Sequence, residues 1–480
     1  MNLRSNRQTV EAAGQSQLRN RSSRSDPAQD MADDVTMDST SQRRDTRETH
    51  QAEANKLGAH QQAQSSAEVN VTSSSELSSD RASMRSHPLS ASSWAVVKRV
   101  LHFNIFLYAF CFWIQTGVLP YLTKKLGMDM VVYGYLQTFY NFIQLVGTPI
   151  YGRFGDLYSG RAALTLAFTM AACMYGLLGV ATTGAFVFVS RVPALFLSAN
   201  HGTQMVIADM THESQRAEAM GRLRLSYGLG MIAGPLIGGV VTKYYSEQHA
   251  ALVSFLGSLL SVVLVQLFIP AQTKKVASSK IQEEKSKSGI FSLEKYINLV
   301  TQTPGAVFFL VVTMVSALPN AILQSMLPMI LMEKFDLSAE HNGYLLSGLA
   351  IVGMLIQGLC MGPLTRQFSD MALLKASAVL LVASFALMAF AQDIIHLALV
   401  MLPLTCGNSV IGLILNTVMT KIVSATDTGT MLGLGNAGYS LVSIFAPTVG
   451  GILMSQCGFF SFGVVGALAN GILFVILCCN

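Results

Sequence analysis

The stretch GLGMIAGPLIGG, Gly228 to Gly239, places five glycines and a proline within twelve residues of a strongly apolar region. In water, glycine and proline both disfavour the interior of a helix. Inside a membrane, small residues instead let helix backbones approach closely and gain dispersion contacts. Gly230, Gly234 and Gly238 recur every four residues and therefore share one helical face. The stretch predicts a membrane helix with a closely packed face, which Pro235 allows to bend.

The composition is typical of a membrane protein. Hydrophobic residues make up 51% of the 480 residues and charged residues only 12%, about half the charged share of soluble proteins. From about residue 100 onward, apolar segments of about 20 residues follow one another, which is the length that crosses hydrocarbon. We predict an all-α membrane protein with twelve transmembrane helices, over 100–122, 132–151, 162–182, 186–208, 224–243, 250–270, 305–332, 342–365, 372–391, 394–416, 430–454 and 460–479.

The chain contains an internal repeat. LPYLTKKLGMDMVVYGYL from Leu119 matches LPMILMEKFDLSAEHNGYL from Leu327, with one extra residue in the second copy. A second match has an offset of 212 residues: Gly221, Pro235, Gly238 and Gly239 recur as Gly433, Pro447, Gly450 and Gly451. The repeat predicts two pseudo-symmetric six-helix bundles, 94–270 and 305–480, joined by a charged cytoplasmic linker, 271–304. Parallel repeats of this kind enclose a site at the membrane midplane and rock around it.

The distribution of positive charge predicts the orientation. Most lysines and arginines of the membrane region lie on one set of connections, which includes Arg153, Arg161 and Lys421. The opposite set holds only four lysines: Lys124, Lys125, Lys243 and Lys334. Because positive residues in short loops stay on the cytoplasmic side, both termini are predicted to be cytoplasmic.

Residues 1–93 differ from the rest of the chain. They are rich in Ser, Gln, Asp and Arg and almost lack aromatic residues, so they are predicted to form a disordered cytoplasmic tail. The net charge of +5 is explained by the membrane topology and requires no nucleic-acid partner. The expected surroundings are the lipid bilayer of the plasma membrane, with an intracellular membrane as the alternative. A monomer is adequate for such a fold.

The sequence lacks the patterns that catalysis or a metal centre would require. Its seven cysteines lie within or at the ends of apolar spans, which predicts neither a disulfide framework nor a metal site. The pattern G-x-x-x-x-G-K-[ST] is missing, which argues against ATP as the driving force. No nucleophile, base or metal cluster converges, so the protein is not expected to be an enzyme. No cofactor is predicted, and a proton is the candidate coupling ion.

Two motifs are similar to those of the major facilitator superfamily. GRFGDLYSGRAAL, between spans 2 and 3, resembles its loop signature, with Gly152, Phe154, Asp156 and Arg161 matching and Ser159 in place of the second glycine. The spacing from Gly221 to Gly239 resembles the fifth-helix antiporter motif of the superfamily's proton-linked drug exporters. The resemblance implies a major facilitator fold that exchanges amphipathic organic cations or drug-like solutes for protons by alternating access, as an efflux system.

The residues expected to act in conformational gating come from these motifs and from the repeat. They are Gly152, Asp156, Arg161, Gly221, Gly230, Gly234, Pro235, Gly238, Gly239, Pro447, Gly450 and Gly451. For the glycines, close packing in a static bundle is the alternative to a moving interface. The resemblance implies that Asp156 latches the two halves on the cytoplasmic side, whereas the residue pattern alone also fits a helix N-cap. Arg161 fits either a latch partner or an inside-positive anchor.

Polar residues within the spans are candidates for contacts with a substrate or proton. These are Arg191, His201, Gln115, Asn200, Gln204, Asn320, Gln324 and Asn436, with Asn141, Gln144, Asn408 and Asn416 as further polar positions. Arg191 lies roughly 7.5 Å into span 4 and could instead snorkel outward. The aromatic residues Tyr108, Phe110, Trp113 and Tyr140 could face an organic cation or simply pack.

The middle of the predicted spans carries no aspartate or glutamate, so a carboxylate proton carrier is missing. His201 is the candidate proton carrier because histidine titrates near neutrality, with helix packing as its alternative role. Two other functions remain open. One is a facilitated uniporter without proton linkage. The other is a membrane scaffold or regulator whose tail recruits partners.

Overall fold

The computed structural model describes residues 91–211, 213–271, 299–424 and 427–479, and these are mostly helical. The first half contains α1 (Ala91–Lys125), α2 (Met130–Leu157), α3 (Gly160–Gly179), α4 (Gly184–Ser190), a 3-10 helix (Val192–Phe196), α5 (Ala199–Met210), α6 (Glu213–Tyr244) and α7 (Glu247–Phe268). The second half contains α8 (Ala306–Glu333), α9 (Ala339–Leu355), a π-helical segment (Ile356–Cys360), α10 (Met361–Gln367), α11 (Asp370–Ala389), α12 (Ile394–Lys421), α13 (Thr428–Cys457) and α14 (Phe460–Cys478).

Side-chain caps and turns start several of the helices. The Ser159 hydroxyl accepts a hydrogen bond from the backbone N–H of Ala162 at 3.1 Å, and Ser369 does the same for Ala372 at 3.3 Å. Ser159 occupies the place where the loop signature has glycine, and its hydroxyl satisfies a free N–H at the start of α3. The departure from the signature therefore has a local structural role.

Ten helices among the described residues are long and apolar enough to cross a membrane. The two predicted spans that fall outside this set are 132–151 and 186–208. The first corresponds to α2, whose hydropathy is lowered by Gln137, Asn141 and Gln144. The second is divided into α4, the 3-10 helix and α5, with Pro193 in the first turn of the 3-10 helix. The structure therefore matches ten of the twelve predicted spans by length and composition.

The boundaries of the predicted segments change slightly. Helix α1 begins at Ala91, so 91–93 belong to the helix rather than to the predicted tail. The remainder of that tail, 1–90, lies outside the described residues, as does most of the predicted linker. Residues 299–302, at the end of the linker, are helical.

The two halves have the same internal packing. Helix α1 packs against α6, and α3 against α7, while in the second half α8 packs against α13 and α11 against α14. The halves meet through two equivalent helix pairs, α6 with α9 and α2 with α13. The sequence repeat relates α2 to α9 and α6 to α13, so each of these pairs is the equivalent of the other. The arrangement is therefore pseudo-two-fold.

Candidate functional site

A cavity of about 880 Å³ lies between the two halves. Helices α1, α5 and α6 line it on one side, and α8, α9, the π segment and α12 line it on the other. Its polar and aromatic lining consists of Trp113, Thr116, Asn200, Gln204, Arg224, Tyr227, Asn320, Gln324, Gln357, Thr405, Asn408 and Ser409. The remainder of the wall is aliphatic or methionine, so the cavity suits a solute with both apolar and hydrogen-bonding surface.

Four predicted substrate residues line this cavity: Asn200, Gln204, Asn320 and Gln324. The Gln204 amide donates to the Asn200 Oδ1 atom at 3.2 Å, which fixes the orientation of the two side chains on α5. The Tyr439 hydroxyl donates to the Gln324 Oε1 atom at 3.5 Å. The structure therefore brings together amide side chains from the fourth and seventh predicted spans.

Charge is sparse in the cavity wall. Among its described lining residues, Arg224 carries the only charge, and none is Asp, Glu, Lys or His. Tyr227 and Trp113 add an aromatic surface next to the amides. The cavity therefore offers neutral hydrogen-bonding groups and π faces to a ligand.

The π-helical segment brings into the cavity wall two residues that the sequence analysis missed. Gln357 and Gly358 lie within Ile356–Cys360 and line the cavity. A π segment inserts an extra residue per turn and re-aims the side chains that follow, and such segments are frequent at functional sites. A glutamine inside an otherwise apolar span was the available signal for Gln357. Thr116, Arg224, Tyr227, Thr405 and Ser409 are further polar or aromatic cavity residues that were not predicted.

Four predicted substrate or proton residues do not line the cavity: Gln115, His201, Asn436 and Arg191. Gln115 is buried, whereas His201 and Asn436 have exposed side chains outside the lining. His201 follows Asn200 on α5, and a step of one residue turns the side chain by about 100° around the helix axis. The structure therefore does not place His201 where a cavity ligand would reach it.

Arg191 does not snorkel to the surface. It ends α4 at the break in the fourth span and is only 1% exposed. Its guanidinium lies 6.0 Å from the ring centroid of Tyr140, and its Nη1 atom lies 3.9 Å from the Met174 sulfur. The Nε and Nη2 atoms have no hydrogen-bond partner. A buried charge in this state is costly unless it is paired.

At one end of the cavity, glycine and proline seal the two halves together. A Cβ atom built on Gly134 of α2 would lie 2.6 Å from the Pro447 carbonyl oxygen of α13. At the equivalent place, a Cβ on Gly343 of α9 would overlap the Pro235 carbonyl oxygen of α6. Only glycine permits these approaches, because any side chain would collide with backbone. We call this double contact the interhalf seam.

The next turn of each helix pair extends the interhalf seam. A Cβ on Gly239 would lie 2.5 Å from the Ala339 carbonyl oxygen, and one on Gly451 would lie 2.9 Å from that of Met130. Gly451 follows Gly239 by 212 residues and Ala339 follows Met130 by 209, so these contacts also exchange under the repeat. The predicted residues Pro235, Gly239, Pro447 and Gly451 therefore lie between the halves.

Polar contacts reinforce the seam. The Thr138 hydroxyl lies 2.8 Å from both the Ile444 carbonyl oxygen and the Thr448 hydroxyl. The Asn141 amide donates to the Ser443 carbonyl oxygen at 2.6 Å. On the other pair, the Ser347 hydroxyl donates to the Ile232 carbonyl oxygen at 2.7 Å. The Tyr121 hydroxyl of α1 also bridges the halves, because it donates to the carbonyl oxygen of Leu337, just before α9. Ion pairs join Lys124 to Glu333 at 3.1 Å and Lys243 to Glu340 at 2.6 Å.

Gly230, Gly234 and Gly238 lie elsewhere than the seam. A Cβ on Gly234 would lie 2.7 Å from the Phe110 carbonyl oxygen of α1, and one on Gly230 would lie 2.5 Å from that of Phe106. Gly238 also faces α1, and its counterpart Gly450 faces α8. These glycines therefore pack within their own half, which differs from the expectation that the whole glycine face lies between moving halves.

At the opposite end, the predicted gating glycines have open surroundings. Cβ atoms built on Gly152 and Gly221 would meet no atom of the described residues within 4 Å, and the same holds for their counterparts Gly362 and Gly433. Arg161 donates to the backbone and side-chain oxygens of Gln266, both at 2.7 Å, and so contacts α7 of its own half. Asp156 lies in α2, but its side chain is outside the description.

Comparison with known proteins gives the family. The sequence model described as Major Facilitator Superfamily matches residues 101–447. Solute carrier family 22 member 18 of Mus musculus is 36% identical over 372 residues, covering 76% of this chain and 91% of the mouse protein. Multidrug resistance protein 1 of Bacillus subtilis is 23% identical, covering 74% and 88%. The crystal structure of a human organic anion transporter has a TM-score of 0.56 at 15% identity, covering 80% and 99%.

A cavity enclosed by two pseudo-symmetric helical bundles defines a multi-pass membrane transporter. The chain belongs to the major facilitator superfamily.

Proposed function

We propose that this protein carries amphipathic organic solutes, organic cations among them, across the membrane by alternating access, in exchange for protons. The observation that carries the proposal is the difference between the two ends of the cavity. At one end four glycine contacts seal the halves, and at the other a Cβ built on the repeated glycines Gly152, Gly221, Gly362 and Gly433 meets no described atom within 4 Å. The open glycines are positioned to form a second seam in another state.

The orientation of this state follows from the predicted topology. Lys124 and Lys243 lie at the sealed end, which the charge distribution predicts to be extracytoplasmic. Met220 and Arg224, near the start of α6, lie toward the opposite end of the cavity. We infer that the cavity faces the cytoplasm in this state, and that efflux begins when a solute enters from there.

The nature of the solute is inferred from the cavity wall. A volume of about 880 Å³ lies within the range of pockets that hold drug-sized ligands. The aromatic faces of Trp113 and Tyr227 suit the apolar body or the positive charge of an organic cation. Amides such as Asn200 and Asn408 suit its polar groups. A relative named multidrug resistance protein supports a drug-like solute.

A facilitated uniporter is the second candidate. It is favoured by the cavity wall, which among the described residues offers no carboxylate or imidazole to exchange a proton against the solute. In the first candidate, the proton would have to bind outside this wall.

A reversible crosslink tests alternating access. Thr138→Cys with Thr448→Cys joins α2 to α13 where the two hydroxyls lie 2.8 Å apart, a separation that allows a disulfide after small adjustment. Oxidation is expected to abolish solute flux in proteoliposomes, and reduction to restore it. The matched control is Ser254→Cys beside the native Cys111, because Ser254 donates to the Cys111 carbonyl oxygen within the first half. Undiminished flux through the oxidised Thr138–Thr448 pair would refute the proposal.

A pH gradient then decides the driving force. Proteoliposomes loaded with a fluorescent organic cation are given an inward or outward proton gradient at zero membrane potential. If a proton gradient directed opposite to the cation movement accelerates the cation flux, exchange for protons is supported. Flux that responds only to the solute gradient supports the uniporter.

A further inference from the structure

Arg191 is a buried cation whose counter-ion is missing among the described residues. Of the described charged side chains, it alone is classed as buried, at 1% exposure. No ion pair joins it to a carboxylate in the described part of the chain, and its Nε and Nη2 donors are unfilled. Guanidinium remains protonated and has five N–H donors, so the missing group is an acceptor.

Tyrosine side chains lie around Arg191, but among the described residues no hydroxyl oxygen accepts a hydrogen bond from its guanidinium. Three tyrosines interact electrostatically with it: Tyr133 and Tyr140 from α2, and Tyr175 from α3. The Tyr175 hydroxyl is buried without a partner. The Tyr133 hydroxyl accepts from the Gln137 amide at 3.0 Å, which leaves its own hydrogen available. Among the described residues, the guanidinium contacts one acceptor, the Met174 sulfur at 3.9 Å, and a thioether is a weak acceptor.

The transported solute does not fill this role in the present state, because Arg191 is not part of the cavity lining. The guanidinium instead lies among α2, α3 and the break between α4 and the 3-10 helix. A negative ion here would join three elements of the first half. It would also hold the fourth span at the point where its helical hydrogen bonds are interrupted.

We propose that Arg191, together with the Tyr133 and Tyr175 hydroxyls, binds a small monovalent anion inside the first half. Because the guanidinium is only 1% exposed, we expect a small ligand, of the size of a halide or of formate. The required chemistry is one negative charge with acceptor capacity for several N–H and O–H donors. The site goes beyond the proposed transport function, since the anion binds outside the solute cavity.

Anion-dependent stability tests the site on the full-length protein in nanodiscs. The thermal midpoint is measured at constant ionic strength while sodium gluconate is replaced by sodium chloride or by sodium formate. Because a ligand that binds only the folded state stabilises it, we expect a saturable rise of about 3 °C. A response to chloride alone identifies a halide site, and a response to formate as well identifies a site that also admits a carboxylate. Equal midpoints in all three salts would overturn the proposal.

Variants assign the effect to Arg191. Arg191→Gln is expected to lose the anion response, whereas the matched control Arg224→Gln, which changes the exposed arginine of the cavity wall, is expected to keep it. If Arg191→Gln fails to fold, Tyr175→Phe serves instead and should raise the half-saturating anion concentration about fivefold, as expected for one lost hydrogen bond. An unchanged response in either variant would contradict the proposed site.

Discussion

Single glycines determine where the two halves can touch. At Gly134 and Gly343, a hydrogen atom in place of a side chain lets a carbonyl oxygen of the other half approach to contact distance. Gly348, five residues after Gly343 on the same helix α9, has no atom within 4 Å of a built Cβ. Neighbouring glycines on one helix therefore differ sharply in what a substitution would disturb.

Gly343→Leu should prevent the interhalf seam from closing. The new side chain would collide with the Pro235 backbone, and overpacking of this kind costs about 1–3 kcal/mol, equivalent to roughly a 5- to 150-fold shift in population. The sealed state is therefore expected to lose occupancy and transport to fall by a similar factor. Labelling of an introduced Asn141→Cys by an impermeant maleimide reports the opening. Gly348→Leu, the control, should leave both labelling and transport near wild type.

The cavity amides make a separate prediction about affinity. Asn408→Ala removes a hydrogen-bonding side chain from the cavity wall and is expected to raise the KM for a transported solute about 5- to 10-fold, as one lost hydrogen bond implies. Uptake kinetics in proteoliposomes measure the change. Asn436→Ala, outside the cavity lining, should leave the KM unchanged. Equal effects of the two substitutions would argue against the cavity as the solute site.

The sequence predicted the cavity residues only in part. Asn200, Gln204, Asn320 and Gln324 were found because an amide within an apolar span is rare enough to be noticed. His201 has the same signal but lies one residue from Asn200, and a short segment broken by a 3-10 helix gives no reliable helical face. Residue type indicated a polar site, whereas the direction of each side chain required the structure.

At the scale of elements, α6 has two functional faces. Gly230, Gly234 and Gly238 pack against α1 of the same half, while Pro235 and Gly239 contact α9 of the other. The spacing of the motif correctly predicts a closely packed helix. It does not say which neighbour each glycine meets, because two helices can approach different sides of the same small-residue stretch.

Gly234→Leu should therefore destabilise the first half rather than shift the equilibrium between states. Its side chain would collide with Phe110 and Trp113 of α1, and the expected loss is about 1–3 kcal/mol of folding stability. The thermal midpoint should fall, while labelling of Asn141→Cys in the surviving folded protein stays as in wild type. Gly471→Leu on α14, where a built Cβ meets no atom within 4 Å, is the matched control. A labelling change like that of Gly343→Leu would disprove this division of α6.

The interruptions of the fourth and eighth spans were harder to predict than the helices themselves. The fourth span was predicted as one continuous helix over 186–208, although Pro193 was an available signal for a break, since proline disfavours a continuing α-helix. The π segment Ile356–Cys360 contains no proline itself, but Pro363 follows it within one turn and cannot donate to the Leu359 carbonyl oxygen. A proline at this position indicates an irregular turn but does not say whether the turn becomes a kink or a π segment.

Over the whole molecule, the two copies of the repeat share their backbone contacts more closely than their charged side chains. The glycine and proline contacts of the seam occur in both copies, whereas the ion pair between Lys243 and Glu340 has no counterpart. The equivalent positions, by offsets of 212 and 209, are Ser455 and Val131. The duplication and the two-bundle fold could be predicted from sequence. Of the residues that close the seam, Pro235, Gly239, Pro447 and Gly451 were among the predicted gating residues, whereas Gly134 and Gly343 were not, since their role depends on which end of the molecule is sealed.

Lys243→Glu should weaken the sealed end through repulsion of Glu340. The side chain of Lys243 is 49% exposed and that of Glu340 12%, so solvent screens the pair and its contribution is small. We expect Asn141→Cys labelling to rise up to about fivefold. The double variant Lys243→Glu with Glu340→Lys should return it to the wild-type rate. Arg222→Glu, which breaks the exposed pair with Glu218 inside α6, should leave labelling unchanged.

The seam also bears on how such a molecule could arise. Gly134 contacts Pro447 and Gly343 contacts Pro235, so each copy of the repeat contributes one equivalent glycine and one equivalent proline to the seam. This reciprocity is the property of an isologous contact in a two-fold dimer. Two separate, identical six-helix chains would therefore already have possessed everything required to close it, and fusion of their genes needed to create no new surface.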